Sequence, residues 1–168
     1  MIRYQLAKLV EWAGTLHTRK RLQKVVFMLQ AAGCSLEADF YLHHYGTYSE
    51  DVARLTDEMV RKKLLEEESE PFMGGSKYSY RLPASVVQQL ADLEKTDQGR
   101  TWAEQLAPFE AKAKALLAAD VKQLEYASTI LYFHLEGKDW PEAVEKAVQF
   151  KGTSVVRSAL GLAQQALA

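Results

Sequence analysis

Residues 40–60 read FYLHHYGTYSEDVARLTDEMV, a short aromatic segment followed directly by the start of a helix. The aromatic run from Phe40 to Tyr45, bounded by Asp39 and Gly46, is typical of a strand or an extended segment. Ser49 is a favourable helix N-cap, and the acidic residues after it suit the positive end of the helix dipole. The stretch therefore predicts a short strand that leads into a helix.

Two further helices are predicted upstream of this stretch. Apolar residues at helical spacing indicate a helix from Ile2 to Ala13 that Gly14 ends. Thr18 is predicted to cap a second helix, which ends at Gly33. Downstream, Gly74-Gly75 can supply the positive φ angles of a hairpin turn within residues 65 to 82. The order helix, helix, short strand, helix, hairpin is that of a winged helix, with residues 65 to 82 as its wing and the third helix as its recognition-type element.

The remainder of the chain is predicted to be helical. The sequence holds 22 Ala, 22 Leu and no Asn, and 16 of the Ala follow Pro83. We therefore predict a mainly α fold of the α+β class. A winged-helix-like N-terminal unit, residues 1 to 82, with a small β-hairpin wing, packs on a C-terminal helical bundle, residues 83 to 168, in one compact body.

The composition is that of a soluble globular protein. The 168 residues are 48% hydrophobic and carry 21 Lys+Arg against 22 Asp+Glu. The single cysteine, Cys34, excludes an internal disulfide. No apolar run reaches the roughly 18 residues that a bilayer span needs, and the N-terminus has no signal-peptide run, so we expect a cytoplasmic protein without membrane contact.

Two motifs resemble a known family. Residues 22–29, LQKVVFML, are similar to the leucine-glutamine-lysine helix of the bacterial and archaeal YwgA-like proteins. Residues 40–49 are similar to the family's aromatic, Tyr-Gly and Tyr-Ser signature, and the match continues to Leu65. These proteins are related to the Panacea domain of SocA-type antitoxins. The resemblance implies a winged-helix-like module that acts through protein contacts in some relatives, as an antitoxin or adaptor, and it implies no catalytic residues.

The sequence predicts neither an enzyme nor a metal or cofactor site. Cys34, His43 and His44 would give at most three zinc ligands, and adjacent histidines in a strand point to opposite faces. We expect one histidine of this pair to be packed and the other exposed. No base accompanies Cys34, so a buried, unreactive thiol is expected.

Charge favours a protein partner over nucleic acid. Residues 1–65 carry ten Lys+Arg and seven Asp+Glu, a net +3. The alternative, a DNA-binding regulator, would use a cluster at the start of the second helix: Arg19, Lys20, Arg21 and Lys24. The third helix opposes this alternative because it carries Glu50, Asp51, Asp57 and Glu58, which would face phosphates or base edges in a major groove.

The leading hypothesis is a regulatory or adaptor protein that binds a partner protein, and a homodimer remains open. The candidate contact residues lie in the aromatic stretch and on the third helix: Tyr45, Tyr48, Ser49, Arg54 and Arg61. Core packing is the expected role of Tyr41, Tyr45 and Tyr48, whereas exposed tyrosines would suit an interface.

Overall fold

A computed structural model describes all 168 residues. The fold is mainly α with a small antiparallel β component, as the sequence predicts. The helices are α1 Arg3–Ala13, α2 Arg19–Ala31, α3 Glu50–Arg61, α4 Ala84–Leu93, α5 Asp97–Leu106, α6 Glu110–Ala118, α7 Val121–Leu135, α8 Trp140–Lys151 and α9 Leu160–Leu167. The strands are β1 Leu16–His17, β2 Tyr41–His43, β3 Gly46–Tyr48, β4 Glu66–Phe72 and β5 Gly75–Arg81.

The predicted caps define the N-terminal helices. Thr18 Oγ1 accepts a hydrogen bond from the Arg21 amide at 3.2 Å and starts α2. Ser49 Oγ accepts one from the Val52 amide at 3.4 Å and starts α3. Two acidic residues in the first turn of α3 complement the helix dipole.

The strands form two separate sheets. In one, β4 and β5 make the predicted hairpin, which we call the wing, and β1 pairs with β5, giving the antiparallel order β1-β5-β4. The sequence did not predict β1, because two residues are too few to show an alternating pattern. Its Leu16 is fully buried.

The second sheet corrects the prediction for residues 40–45. These residues are not one strand: β2 ends at His43, the chain turns, and β3 returns from Gly46 to Tyr48 as a short hairpin. The turn is possible because Gly46 adopts a φ of 96°, in the region that favours glycine.

Aspartate side chains cap two of the C-terminal helices. Asp120 and Asp139 accept hydrogen bonds from the amides of Gln123 and Glu142, at 3.0 and 2.9 Å, and so cap α7 and α8. Pro108 lies in a short 3₁₀ segment that separates α5 from α6.

Helix α7 is the centre of the molecule. It packs against α2, α8, α9 and β3. The buried apolar residues of α1, α2 and α7 belong to one continuous core cluster, so the two predicted units share a core. No helix combines the length and the apolar character needed to cross a membrane.

Candidate functional site

The two motifs that carry the family resemblance lie against each other. The side chain of Gln23 on α2 accepts a hydrogen bond from the Ser49 amide at 2.8 Å and donates one to the Ser49 carbonyl at 3.0 Å. Both residues are buried, with Ser49 fully so. A glutamine can satisfy a donor and an acceptor at once, so Gln23 fixes the junction between β3 and α3. Ser49, predicted to touch a partner, is used within the chain.

Lys24, the next residue on α2, has a buried amino group. It is 2% exposed, and its Nζ donates to the Thr47 carbonyl at 2.6 Å. No carboxylate lies within 4 Å of this ammonium group. Burial lowers the pKa of Lys24 to about 7, against a smaller opposing influence of Glu125.

Glu125 on α7 faces this part of α2. Its side chain is 1% exposed and accepts hydrogen bonds from Lys20 Nζ at 2.8 Å and from Lys151 Nζ. Burial by itself raises the pKa of Glu125, but the hydrogen bonds from Lys151 and Lys20 outweigh it and hold the pKa below its usual value. We call Lys20, Lys24, Lys151 and Glu125 the buried lysine cluster.

The turn of the β2–β3 hairpin lies over the buried lysine cluster. Lys151 Nζ donates to the His44 carbonyl at 3.2 Å. A Cβ added to Gly46 would lie 3.2 Å from Lys24 Cε and 3.4 Å from Glu125 Cγ. Glycine is therefore needed at position 46 for both its backbone angle and its close approach to the cluster.

The rings of this hairpin face outward, contrary to the expected core packing. Tyr41 is 43% and Tyr45 57% exposed, and both His43 and His44 are exposed, so the prediction that one histidine is packed was wrong. Tyr48 is half-buried and lies 5.8 Å, between ring centroids, from Tyr41. The hairpin rests on α2 and α7 through the backbone of Gly46 and Thr47, which leaves these rings free. We call Tyr41, His43, Tyr45 and Tyr48 the aromatic surface.

A cleft of about 200 Å³ opens between α2, α3 and the β2–β3 hairpin. Lys20 and Lys24 line it together with Arg19, and Lys20 Nζ lies 5.1 Å from the Tyr45 ring centre. Its other lining residues are apolar, aromatic or uncharged polar: Leu22, Gln23, His43, Tyr45, Tyr48, Val52, Ala53 and Thr56. No Asp or Glu lines the cleft, although α3 carries several.

The remaining predicted cations have structural partners or lie at the surface. Arg19 pairs with Asp57 at 2.7 Å and with Glu67 at 2.9 Å, and so links α2 to α3 and to the wing. Arg21 donates to the carbonyls of Leu117, at 2.9 Å, and Ala119, at the end of α6. Arg54 and Arg61 lie exposed on α3, where Arg54 pairs with Asp51.

Outside the cleft, the molecule offers two other features. A groove of about 920 Å³ between the start of α2 and the wing tip is lined by His17, Arg19, Lys20, Arg21 and Lys77 and by no acidic residue. We call it the basic groove. Cys34 is buried, and burial raises its pKa to about 11, as expected for an unreactive thiol. No group of three or more His, Cys, Asp or Glu residues is arranged to hold a metal ion.

Sequence reasoning missed Glu125 and Lys151, because 105 residues separate Lys20 from Glu125. A local signal did exist. Glu125 interrupts the buried stripe of α7, just as Lys24 interrupts that of α2. A charged residue in an apolar stripe must find a partner or lose its charge, and two such residues on separate helices suggest contact.

The chain thus belongs to the mainly α proteins and holds a buried lysine cluster beneath an exposed aromatic hairpin. It is 27% identical over 149 residues to the uncharacterized protein YwgA of Bacillus subtilis (strain 168), and the match covers 88% of this chain and 82% of YwgA. This likeness supports a YwgA-like family. No family model matches the chain.

Proposed function

We propose that this protein is a non-enzymatic cytoplasmic regulatory or adaptor protein that binds a partner protein through its winged-helix-like N-terminal unit. The aromatic surface is the observation that carries this proposal. Tyrosine offers a large contact area at a low cost in side-chain entropy, and it is enriched at the energetic centres of interfaces. Here two exposed tyrosines stand on a hairpin whose backbone is held by the buried side chains of Gln23 and Lys24.

A surface that is already ordered binds at a lower entropic cost. The hydrogen bonds from Gln23, Lys24 and Lys151 to the hairpin and to Ser49 fix the aromatic surface in the free protein. Helix α3 follows directly and adds the exposed Arg54 and Arg61. The proposed contact therefore runs from Tyr41 to Arg61, without the buried Ser49. An antitoxin-like role, as the family resemblance implies, would make a toxin the partner.

The basic groove favours the alternative, a nucleic-acid-binding regulator. Its lining has four Lys or Arg residues and no carboxylate, as phosphate binding would require. Three observations weigh against it. Arg19 and Lys20 already pair with carboxylates, Lys24 is buried, and α3 carries four acidic residues. A protein partner therefore remains the favoured proposal.

Affinity capture from a lysate of the native host, with and without nuclease, tests both. A stoichiometric protein that survives nuclease is expected, and Tyr41→Ala with Tyr45→Ala should reduce its recovery at least tenfold. Leu135→Ala, which truncates a side chain of similar exposure at the end of α7, serves as the matched control. Equal recovery by the double variant and the wild type would reject the aromatic surface as the contact.

The nucleic-acid alternative has its own variant. Arg19 and Arg21 are unsuitable for charge reversal because both brace the fold. Lys77 on β5 lines the basic groove and has no carboxylate partner, so Lys77→Glu leaves the ion pairs intact. Nuclease-sensitive recovery of nucleic acid that Lys77→Glu abolishes would establish the alternative. Light scattering of the purified protein reports whether a second copy is the partner.

A further inference from the structure

The buried lysine cluster holds an excess of positive charge. The Glu125 carboxylate hydrogen-bonds Lys20 and Lys151 and lies 3.6 Å from Nζ of the exposed Lys122, but it makes no ion pair with Lys24. In its charged form Lys24 has three N–H donors but a single acceptor, the Thr47 carbonyl. The hydroxyl of Thr47 is also buried without a hydrogen-bond partner. Unused buried donors cost free energy, and a bound anion would remove that cost.

The cleft provides a place for this anion. Lys20 and Lys24 both line it, and no acidic residue does. Its walls also include Leu22, Val52 and the Tyr45 and Tyr48 rings, which would strip water from any group that enters. A free phosphate would lose its hydration against these apolar walls, whereas an anion with an apolar body would match them. The volume of about 200 Å³ lies below the roughly 300–1,000 Å³ of sites for drug-sized molecules.

We infer that the cleft binds a carboxylate carried by a compact apolar or aromatic group. The carboxylate lies at Lys20 and Lys24, and the apolar body lies between α3 and the rings of the β2–β3 hairpin. The carboxylate could come from a free small acid or from the C-terminal residue of a polypeptide. The cleft shares His43, Tyr45 and Tyr48 with the aromatic surface, but the inference does not depend on the proposed partner protein, because the lysines and the cleft wall on α3 are tested with small probes.

Binding is expected to take up a proton. Burial lowers the pKa of Lys24 to about 7, so the neutral form predominates at pH 8. A carboxylate beside it favours the charged ammonium form and raises the pKa. The complex at pH 8 therefore holds more protons than the free protein and the free acid together.

Titration calorimetry at pH 8 tests the inference. Benzoate, phenylacetate and isovalerate are titrated into the full chain beside their neutral amides, in phosphate and in Tris, whose ionisation enthalpies differ. We expect the acids to bind and the amides to bind at least tenfold more weakly. The acids should show a buffer-dependent enthalpy that corresponds to uptake of more than half a proton.

A second arm separates the two sources of the carboxylate. A tetrapeptide that ends in phenylalanine is compared with the same peptide amidated at its C-terminus. Binding of a free acid supports a small-molecule ligand, and binding of the free-carboxylate peptide alone supports a polypeptide terminus. The inference is overturned when no carboxylate probe binds at millimolar concentration, or when acids and amides bind equally.

Two variants locate the site. Lys24→Met should weaken acid binding at least tenfold and abolish the proton uptake, whereas Lys95→Met, at an exposed lysine on the α4–α5 connection, should change neither. Ala53→Leu on α3 fills the cleft without touching the lysine cluster, so it tests the site even where Lys24→Met fails to fold. Unchanged acid binding in Ala53→Leu would place the site elsewhere and overturn the inference.

Discussion

The molecule contains two antiparallel hairpins that are held in opposite ways. The β2–β3 hairpin has only three residues in each strand, yet its backbone meets the buried side chains of Lys24 and Lys151. The wing has seven residues in each strand, and Met73 at its tip is 92% exposed. The shorter hairpin is thus the more deeply seated one. Hydrogen bonds from buried side chains to the hairpin backbone can stabilise a hairpin whose strands are short.

In both hairpins, the amino-acid composition suggests a degree of burial that differs from the one observed. The aromatic residues of β2–β3 suggest a core strand, but their rings face solvent and the backbone faces the interior. The acidic residues of β4 suggest a fully solvent-exposed strand, but Arg19 on α2 donates hydrogen bonds to Glu67 of β4 and to Tyr80 of β5. Burial raises the pKa of Tyr80, and the hydrogen bond to Glu67 adds to this effect. Both hairpins are anchored to α2, at its base or along its buried face.

Removing the buried carboxylate should destabilise the protein most. Glu125→Gln leaves the ammonium groups of Lys20 and Lys151 without their countercharge, and we expect unfolding to become easier by about 3–5 kcal/mol. Urea unfolding monitored by circular dichroism measures this change. The control is Glu145→Gln, which breaks an ion pair with Arg157. Both side chains of this pair are about half exposed, so the free energy of unfolding should fall by less than about 1 kcal/mol. Equal effects would show that the cluster is not what seats the β2–β3 hairpin.

Loss of the two hydrogen bonds between the Gln23 side chain and the Ser49 backbone should have the next largest effect. Gln23→Ala removes both hydrogen bonds to the Ser49 backbone and leaves a buried amide and a buried carbonyl unpaired, so we expect a loss of about 2–3 kcal/mol. Hydrogen exchange should speed up in residues 41–49 and stay unchanged in the wing. Gln88→Ala on the exposed face of α4 is the control, with a change within about 0.5 kcal/mol. Exchange that speeds up equally in both hairpins would contradict this assignment.

The two turn glycines allow a direct comparison of the hairpins. Gly46 and Gly74 both have positive φ, of 96° and 78°, so alanine is strained at either position, by about 1 kcal/mol. Only at Gly46 would the new Cβ press on Lys24, at 3.2 Å, whereas nothing lies within 4 Å at Gly74. We expect Gly46→Ala to cost about 1 kcal/mol more than Gly74→Ala in urea unfolding. Indistinguishable costs would refute the close approach of the turn to the cluster.

The most gradual expected effect is a pH dependence carried by Lys24, at about 1 kcal/mol for each pH unit. Its pKa of about 7 in the folded protein lies well below that of the unfolded chain, so the unfolded state binds more protons above pH 7. The stability contributed by this residue should therefore rise by about 1 kcal/mol per pH unit from pH 7 to 9. The wild type minus Lys24→Met isolates this slope, and Lys95→Met is the control. A zero or negative difference would show that Lys24 stays charged.

The sequence predicted what depends on neighbours along the chain. The caps at Thr18 and Ser49 and the turn of the wing follow from residues within a few positions of each other. The sequence did not predict the features that depend on residues far apart along the chain. The outward rings of β2–β3 depend on backbone contacts with Lys151, and the countercharge of Lys20 lies on α7. Gln23 and Lys24 could be identified in the sequence as polar residues of α2, but the backbone groups to which they donate hydrogen bonds could not.

Translation order gives the buried lysine cluster one more consequence. Lys20 and Lys24 leave the ribosome about a hundred residues before Glu125, and Lys151 follows 26 residues after Glu125. A nascent chain that stops within α6 lacks Glu125, so Lys20 on α2 has no carboxylate with which to form its ion pair. The folding of α2 therefore depends on α7, and a premature stop before Glu125 should release a chain that folds poorly and is degraded.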